Sequence, residues 1–297
     1  MIRLIASDMD GTLLNAQGQM SERTVREIKK VQENGVIFAV CTGRIYSSAR
    51  TEPEKHGIHC SYLCNSGAQI FDESGKLLRS IPLERETAYW IMKELKKYRV
   101  PLEIQAEDSY YVTYTFMDLV KKCYYRWRNK RLSGYLKRIL FQYLPGKKNQ
   151  SGADKPIRLR KPEDVFLYSN EIYKISSSGI SPKKVTELKK YFQSTGKVTA
   201  VSSFSDNVEI TDIRAQKGPS LAWYAEHLGI SPDEVMAVGD SDNDLSMIQW
   251  DFGYTVAMGN AMDCIKEAAK YRTLDNTEDG VAVFMEQHIP VSAGMAD

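Results

Sequence analysis

Asp8 and Asp10 stand two residues apart in the run Asp8-Met9-Asp10-Gly11-Thr12-Leu13-Leu14, directly after a short apolar stretch. Two carboxylates on one glycine-closed loop suit a division of labour. One attacks as a nucleophile while the other, aimed differently by the turn, donates and removes protons. The plainer reading of the pair is a strand end serving as a turn and helix cap. A second acidic group, Gly239-Asp240-Ser241-Asp242-Asn243-Asp244, places three Asp and one Asn in five residues after another apolar run. At an effective dielectric of about 20, two carboxylates about 4 Å apart repel by about 4 kcal/mol, so a rim gathering Asp8, Asp10, Asp240 and Asp244 calls for a cation. Ligands that are all oxygen select Mg²⁺ over zinc or iron. Without a cation the same residues read as a solvated acidic loop. Thr42-Gly43 offers a hydroxyl and a backbone N–H to a phosphate oxygen, and Lys217 a fixed positive charge. Taken singly, these are an ordinary turn and an ordinary solvated lysine.

The elements that must position these residues can be read from the hydrophobic pattern. Residues 2–7 predict a buried strand ending at Asp8. Ser21 is placed as a helix N-cap, with Val25, Ile28 and Val31 on one face and Gly35 as the stop. Val36–Cys41 predicts a second buried strand ending at Thr42. Two apolar strands joined by a helix form a βαβ unit, hence a parallel sheet. The alternation returns late in the chain. A helix begins near Pro219, the strand Glu234–Val238 runs into Gly239-Asp240, a helix starts at Leu245, and a further strand spans Tyr254–Ala257. Asp8, Thr42 and Asp240 then share the carboxyl rim of one doubly wound sheet, where such folds bind ligands. Between these stretches lies a segment of another character. A helix is expected over Glu84–Tyr98, strands within Val100–Thr115, helical spacing from Asp118 to Leu144 with a break at Ser133-Gly134, and a loop over Gly146–Pro162. A strand over Val165–Ser176, a helix over Pro182–Gln193 and a strand over Val198–Ser203 complete it. The expected fold class is therefore α/β, a doubly wound parallel sheet formed by residues 1–83 and 206–297 with an inserted α+β domain over 84–205.

The four segments Asp8-x-Asp10-Gly11-Thr12-Leu13-Leu14, Thr42-Gly43-Arg44, Lys217-Gly218 and Gly239-Asp240-x-x-Asn243-Asp244 resemble, in order, spacing and strand-end placement, the haloacid dehalogenase-like hydrolases. The likeness is strongest to their Cof-type subfamily, with Ala257-Met258-Gly259-Asn260-Ala261 and Glu278-Asp279-Gly280-Val281-Ala282 also similar. Only 34 positions separate Asp8 from Thr42, whereas 175 separate Thr42 from Lys217. The insert therefore corresponds to that family's C2-type cap over a Rossmann-like core. A phosphomutase of the family usually carries its cap between the first two motifs. The resemblance implies an Mg²⁺-dependent phosphatase that hydrolyses a small phosphorylated metabolite (a sugar phosphate, nucleotide or phosphorylated cofactor) through an aspartyl phosphate. Asp8 would attack phosphorus and Asp10 would protonate the leaving oxygen and then activate water. Asp8, the Asp10 backbone carbonyl and Asp240 would hold the metal. Met9, Thr42, Gly43, Lys217 and Asn243 would bind the phosphoryl oxygens, and Asp244 would orient Lys217 or stand behind the metal. After the second motif the family often carries Asn-Gly-Ala; here the run is Asn65-Ser66-Gly67-Ala68, and either Asn65 or Ser66 would face the substrate.

Composition bounds the alternatives. The chain has 297 residues, 42% hydrophobic and 26% charged, with net charge +2, which excludes disorder and fibrous classes. Its apolar runs fall far short of the roughly 18 residues of a membrane span, and its apolar start meets Asp8 at once, unlike a signal peptide. A cytoplasmic protein is expected. Five scattered Cys form no disulfide framework. His56, His59, Cys60 and Cys64 crowd together, but zinc recruits two spaced ligand pairs and none follows, so structural roles are expected for them. The small net charge hides an asymmetry: residues 84–205 hold 25 Lys/Arg against 12 Asp/Glu, and the remainder 15 against 26. Segment 118–148 alone has ten basic residues and one acidic, interleaved with aromatics. It reads first as an amphipathic cap helix with solvated charges, next as a lid that attracts phosphorylated substrate, and last as a nucleic-acid or membrane surface. Nucleic acid is not the expected partner, and the sequence leaves the oligomeric state open. The rival to the enzyme is a catalytically silent protein of the same fold that docks a partner through this basic cap.

Overall fold

Leu4–Ser7 (β1) is buried along its whole length in the computed structural model, which describes residues 1–107, 109–128 and 156–289. A strand apolar on both faces is the mark of a parallel sheet covered on both sides. The helix Glu22–Glu33 follows, its first turn closed by Ser21 accepting from the Thr24 N–H. It leads to β2 (Ile37–Cys41) and, after two short helices, to β3 (Ser61–Cys64). β1 pairs in parallel with β2, and β2 with β3. The antiparallel strands β4 (Gln69–Phe71) and β5 (Leu77–Ser80) finish that edge.

The chain then builds a second sheet. Its strands are β6 (Glu103–Ala106), β7 (Ser109–Val112), β8 (Ile157–Arg158), β9 (Ile172–Ser178), β10 (Val198–Val201) and β11 (Asn207–Asp212), in the order β10-β11-β9-β6-β7-β8. It returns to the first sheet with β12 (Val235–Gly239), β13 (Tyr254–Ala257) and β14 (Tyr271–Arg272), giving the order β14-β13-β12-β1-β2-β3-β4-β5. β1 thus has β2 on one side and β12 on the other, both parallel to it. The carboxyl ends of these three strands meet at the point where the winding reverses, which is where open α/β sheets form their clefts.

Each sheet has its own hydrophobic core. In the second sheet Ile104, Ile175, Val208 and Ile210 pack with Ile91, Leu95, Leu188 and Phe192 of the helices Arg85–Lys97 and Pro182–Ser194. Side chains alternate across a strand, so Lys174, Ser176, Glu209 and Thr211 take the opposite face, and it is this polar face that meets the larger sheet. A small cluster of Ala68, Ile81, Tyr173 and Ala215 seals the seam between the two. No helix among the described residues is long and apolar enough to cross a membrane.

Several elements differ from expectation. Asn207–Asp212, counted with residues 206–297 of the core, pairs antiparallel with both β9 and β10 and so belongs to the second sheet. Its alternation of buried apolar and polar residues (Val208, Ile210 against Glu209, Thr211) is that of a sheet with two unlike faces. Val165–Leu167 lies not in a strand but in a tight helical turn opened by Pro162, and the strand begins only at Ile172. The helix expected after Leu245 stops at Ile248. Phe116–Arg128 is helical as the spacing requires. The expected break at Ser133-Gly134, the rest of the run to Leu144 and most of the basic segment lie outside the described residues.

Candidate active site

Three neighbouring strands deliver the polar rim. Asp8 follows β1, Thr42 follows β2 and Asp240 follows β12. The Asp8 N–H still donates to the Val238 carbonyl at 2.9 Å, so its backbone is held as an extension of the sheet. Lys217, the first residue of the helix Lys217–His227, enters from the seam between the two sheets. Its Nζ lies 2.6 Å from Asp8 Oδ1 and 2.6 Å from Asp244 Oδ1, with the lysine side chain fully buried. The other Asp244 oxygen accepts from the backbone N–H groups of Asp240 and Ser241, both at 2.9 Å. Asp244 is therefore fully engaged in fixing Lys217 and the turn after β12.

Asp240 Oδ1 accepts from the Thr12 hydroxyl at 3.0 Å. Gly11 has φ +94°, and a Cβ there would fall 2.6 Å from Asp240 Oδ2. Only glycine adopts that conformation cheaply and leaves room for the carboxylate. The loop is also held from outside by Asn260, whose Nδ2 donates to the Gly11 carbonyl at 2.7 Å. The Met9 side chain is buried in the core, so only its backbone can face the rim. Thr42 is buried, and its Oγ1 accepts from the Arg44 N–H at 3.2 Å. Asn243 is fixed at both ends of its amide: Oδ1 accepts from Ser241 Oγ at 2.9 Å and Nδ2 donates to Ser203 Oγ at 2.8 Å.

Asp10 behaves differently from Asp8. Its carboxylate is held in a fork by Arg44, with Nε and Nη2 at 2.7 and 2.5 Å. The sequence placed Arg44 in the second motif without a role, and its type was the available signal, since a guanidinium matches a carboxylate two-to-two. Asn65 and Ser66 both take left-handed backbone conformations at the end of β3. Asn65 turns inward, its Nδ2 donating to Gln69 Oε1, while Ser66 reaches the second sheet through Glu209. Nothing in the sequence marked Glu209, Lys174 or Ser203, which reach partners as distant along the chain as Gly43, Ser66 and Asn243.

The electrostatics follow from burial. Desolvation, aided by the facing Asp244 charge, pushes the Asp8 carboxyl up to about 7 against the pull of Lys217. Burial and the charge of Asp8 also hold Asp240 well above the ordinary carboxylate range. Burial alone would lower Lys217, but Asp244 and Asp8 outweigh it and the ammonium stays protonated. Asp8, Asp240 and Asp244 bring oxygens within 4.8 Å of one another, all buried. Ionised together, the three buried carboxylates would exceed the one ammonium by two negative charges, which is why Asp8 and Asp240 hold their protons more tightly than free carboxyls. Asp8 and Asp240 each keep an oxygen outside the bonds described, so the group suits a hard divalent cation.

A parallel rim with this acid and lysine arrangement defines a class, and comparison with known proteins agrees. A family model described as haloacid dehalogenase-like hydrolase matches residues 5–285. The chain belongs to that family and is one of its phosphatases, a phosphoric monoester hydrolase. Among its relatives in Bacillus subtilis (strain 168), the phosphatase YwpJ is 31% identical over 287 residues, covering 96% of this chain and 99% of YwpJ. The 5-amino-6-(5-phospho-D-ribitylamino)uracil phosphatase YwtE is 27% identical over 293 residues, covering 96% and 98%. The solved structure of a haloacid dehalogenase-like hydrolase from B. subtilis superposes with a TM-score of 0.85 at 29% identity, covering 97% of this chain and all of that one.

Proposed function

We propose that this phosphatase is Mg²⁺-dependent, works through an aspartyl phosphate on Asp8, and acts on a small phosphorylated metabolite. The observation that carries the reading is the Lys217 ammonium buried between Asp8 and Asp244 with Asp240 opposite, at the carboxyl ends of adjacent strands. The Lys217 bond to Oδ1 orients the Asp8 carboxylate, leaving Oδ2 to attack phosphorus in line. As the Asp8–phosphorus bond forms, the bond to the leaving oxygen breaks, and Asp10 supplies that oxygen with a proton. In the second step Asp10 takes a proton from water, the water oxygen bonds to phosphorus, and Asp8 departs as carboxylate. Arg44 holds the Asp10 carboxylate in place through its two-point fork. Thr42, the backbone of Met9 and Gly43, Lys217 and Asn243 surround the three equatorial oxygens, where positioning and charge supply most of the rate.

Asp8, Asp240 and the Asp10 carbonyl would hold Mg²⁺, which when bound offsets the charge of the acids and of the phosphoryl oxygens. The polar face of the second sheet, set against residues 43, 66 and 243, supports its reading as a cap, with the domain boundaries near residues 83 and 213. YwtE's ribityl phosphate ester, sugar phosphates, nucleotides and phosphorylated cofactors are the compounds to try. The buried cysteines Cys41, Cys60 and Cys64, none of them in a disulfide, suit a reducing cytoplasm, where we place the protein.

The test is phosphate release from such a panel, with Mg²⁺ and with chelator, beside Asp8→Asn. Release that needs the metal and disappears in the variant is the expected result. Metal-independent release, or a variant that turns over at the parent rate, would overturn the mechanism. No release from any ester by folded, Mg²⁺-loaded protein would favour a partner-docking role for the basic cap.

A further inference from the structure

The second sheet touches the first through a chain of hydrogen bonds that begins and ends on the two loops read above as phosphate-binding. Lys174 on β9 donates from Nζ to the Gly43 carbonyl at 2.5 Å and to Glu209 Oε2 at 2.8 Å. Glu209 on β11 accepts at its other oxygen from Ser203 Oγ at 2.5 Å and from Asn207 Nδ2 at 3.0 Å. Ser203 in turn accepts from Asn243 Nδ2 at 2.8 Å. Ser66 at the end of β3 donates to Glu209 Oε2 at 3.1 Å. One buried carboxylate thus joins the ends of β2 and β3 to the loop after β12, which lie on opposite sides of Asp8.

We propose that Glu209 is a positioning residue for the reaction: through Lys174 and Ser203 it sets the Thr42-Gly43 loop and the Asn243 amide in register around the phosphoryl group. The proposal rests on the phosphatase reading and adds to it a residue that does not itself touch substrate. Three features separate this from ordinary domain docking. On the Asn243 side the donors run in one direction, Asn243 to Ser203 and Ser203 to Glu209, so the Asn243 amide has one N–H committed to Ser203, its oxygen committed to Ser241, and the second N–H left for a phosphoryl oxygen. A Cβ at residue 43 would stand 3.1 Å from Lys174 Nζ and 3.2 Å from Glu209 Oε2, so glycine there lets the ion pair close onto the loop. The adjacent Asp242 is gripped by the same domain, through Lys189 Nζ of the helix Pro182–Ser194 at 2.7 Å and the Ser202 N–H just past β10 at 2.8 Å. Burial would raise the Glu209 carboxyl, but the facing Lys174 ammonium and the hydroxyl donors hold it below its usual range, so the hub is charged. Charge-assisted bonds of this kind are the strong ones.

Kinetics of p-nitrophenyl phosphate hydrolysis by the full chain with Mg²⁺ test the proposal, using Ser203→Ala, Ser203→Thr and Glu209→Gln with thermal midpoints measured alongside. A misplacement of about 1 Å costs about a hundredfold in rate. Ser203→Ala and Glu209→Gln are therefore expected to lower kcat by about ten- to a hundredfold with KM within about threefold of the parent. The double variant should be little worse than Glu209→Gln alone, because both cut one chain. Ser203→Thr keeps the hydroxyl and should restore kcat. If Glu209→Gln does not fold, the two Ser203 variants decide. A kcat within about twofold of the parent in both single variants would overturn the proposal. So would a raised KM at unchanged kcat, which would make these side chains readers of the substrate. An inactive parent would instead sink the phosphatase reading beneath it.

Discussion

The Lys217 ammonium has no water to fall back on: its side chain is fully buried, and its partners Asp8 and Asp244, each 2.6 Å away, are buried as well. Its net worth to folding is set by what its removal would leave behind. Replacing one member of such a group strands the others uncompensated, at a cost of about 3–5 kcal/mol. Lys217→Met keeps much of the volume and is expected to abolish turnover. In chelator its thermal midpoint should fall by about 10 °C, at about 2–4 °C per kcal/mol for a domain of this size. Saturating Mg²⁺ should recover part of the loss, because a cation bound by Asp8 and Asp240 stabilises only the folded state. A midpoint in chelator equal to the parent's would show that the ammonium is not what balances the acids. Arg44 differs on this count. Its fork to Asp10 is part-exposed, and solvent screens a pair there far more than it screens Lys217.

At the scale of elements, the helix Phe116–Arg128 is fastened to the second sheet by charge. Lys122 donates to Glu103 Oε1 at 2.8 Å, and Ser178, Tyr110 and Tyr114 also donate to this carboxylate. Burial alone would raise Glu103, but Lys122 and the hydroxyls bring it from 4.5 down to about 2. A carboxylate with a depressed folded pKa adds stability that is fully present above its unfolded value. That stability is lost as pH falls from about 4.5 to about 2, here about 3 kcal/mol. Glu103→Gln should therefore destabilise the protein at neutral pH and flatten its acid-unfolding profile across that window, measured by denaturant melts at stepped pH. A variant profile parallel to the parent's would show that the carboxylate does not titrate with unfolding.

The same scale shows what the sequence could reveal. β1, β2, β12 and β13 were legible because each is an apolar run ending in a polar motif, and the ends of β1, β2 and β12 carry Asp8, Thr42 and Asp240. β3 (Ser61–Cys64), β4 (Gln69–Phe71) and β5 (Leu77–Ser80) are just as short but mix polar with apolar residues, so no apolar run marks them. Asn207–Asp212 could be read as a strand but not assigned to a sheet, because pairing is settled by partners such as Ile175 and Thr199 elsewhere in the chain. Glu209 stayed silent for that reason: a lone acid in a strand acquires meaning only when Lys174, Ser203 and Ser66 are brought to it.

Across the whole molecule the charge is divided, residues 84–205 carrying 25 Lys/Arg against 12 Asp/Glu and the remainder 15 against 26. A phosphorylated metabolite approaching the seam meets a positive cap and a negative core, and the field of the cap decides whether it is drawn in. This attraction acts over the screening length, which shrinks from about 10 Å at 0.1 M salt to about 3 Å at 1 M. The ion pairs around Lys217 are buried and contacting, so salt reaches them little. The two contributions separate in kinetics: encounter governs kcat/KM, whereas the chemistry proposed for Asp8 would govern kcat. Raising KCl from about 0.1 to 1 M at fixed Mg²⁺ is expected to lower kcat/KM about five- to tenfold while kcat stays within about twofold. Substituting the basic residues of 118–148 with neutral ones should flatten that dependence. A kcat/KM indifferent to salt would mean that the excess charge of the cap is solvated surface, and that substrate reaches Asp8 by diffusion unaided.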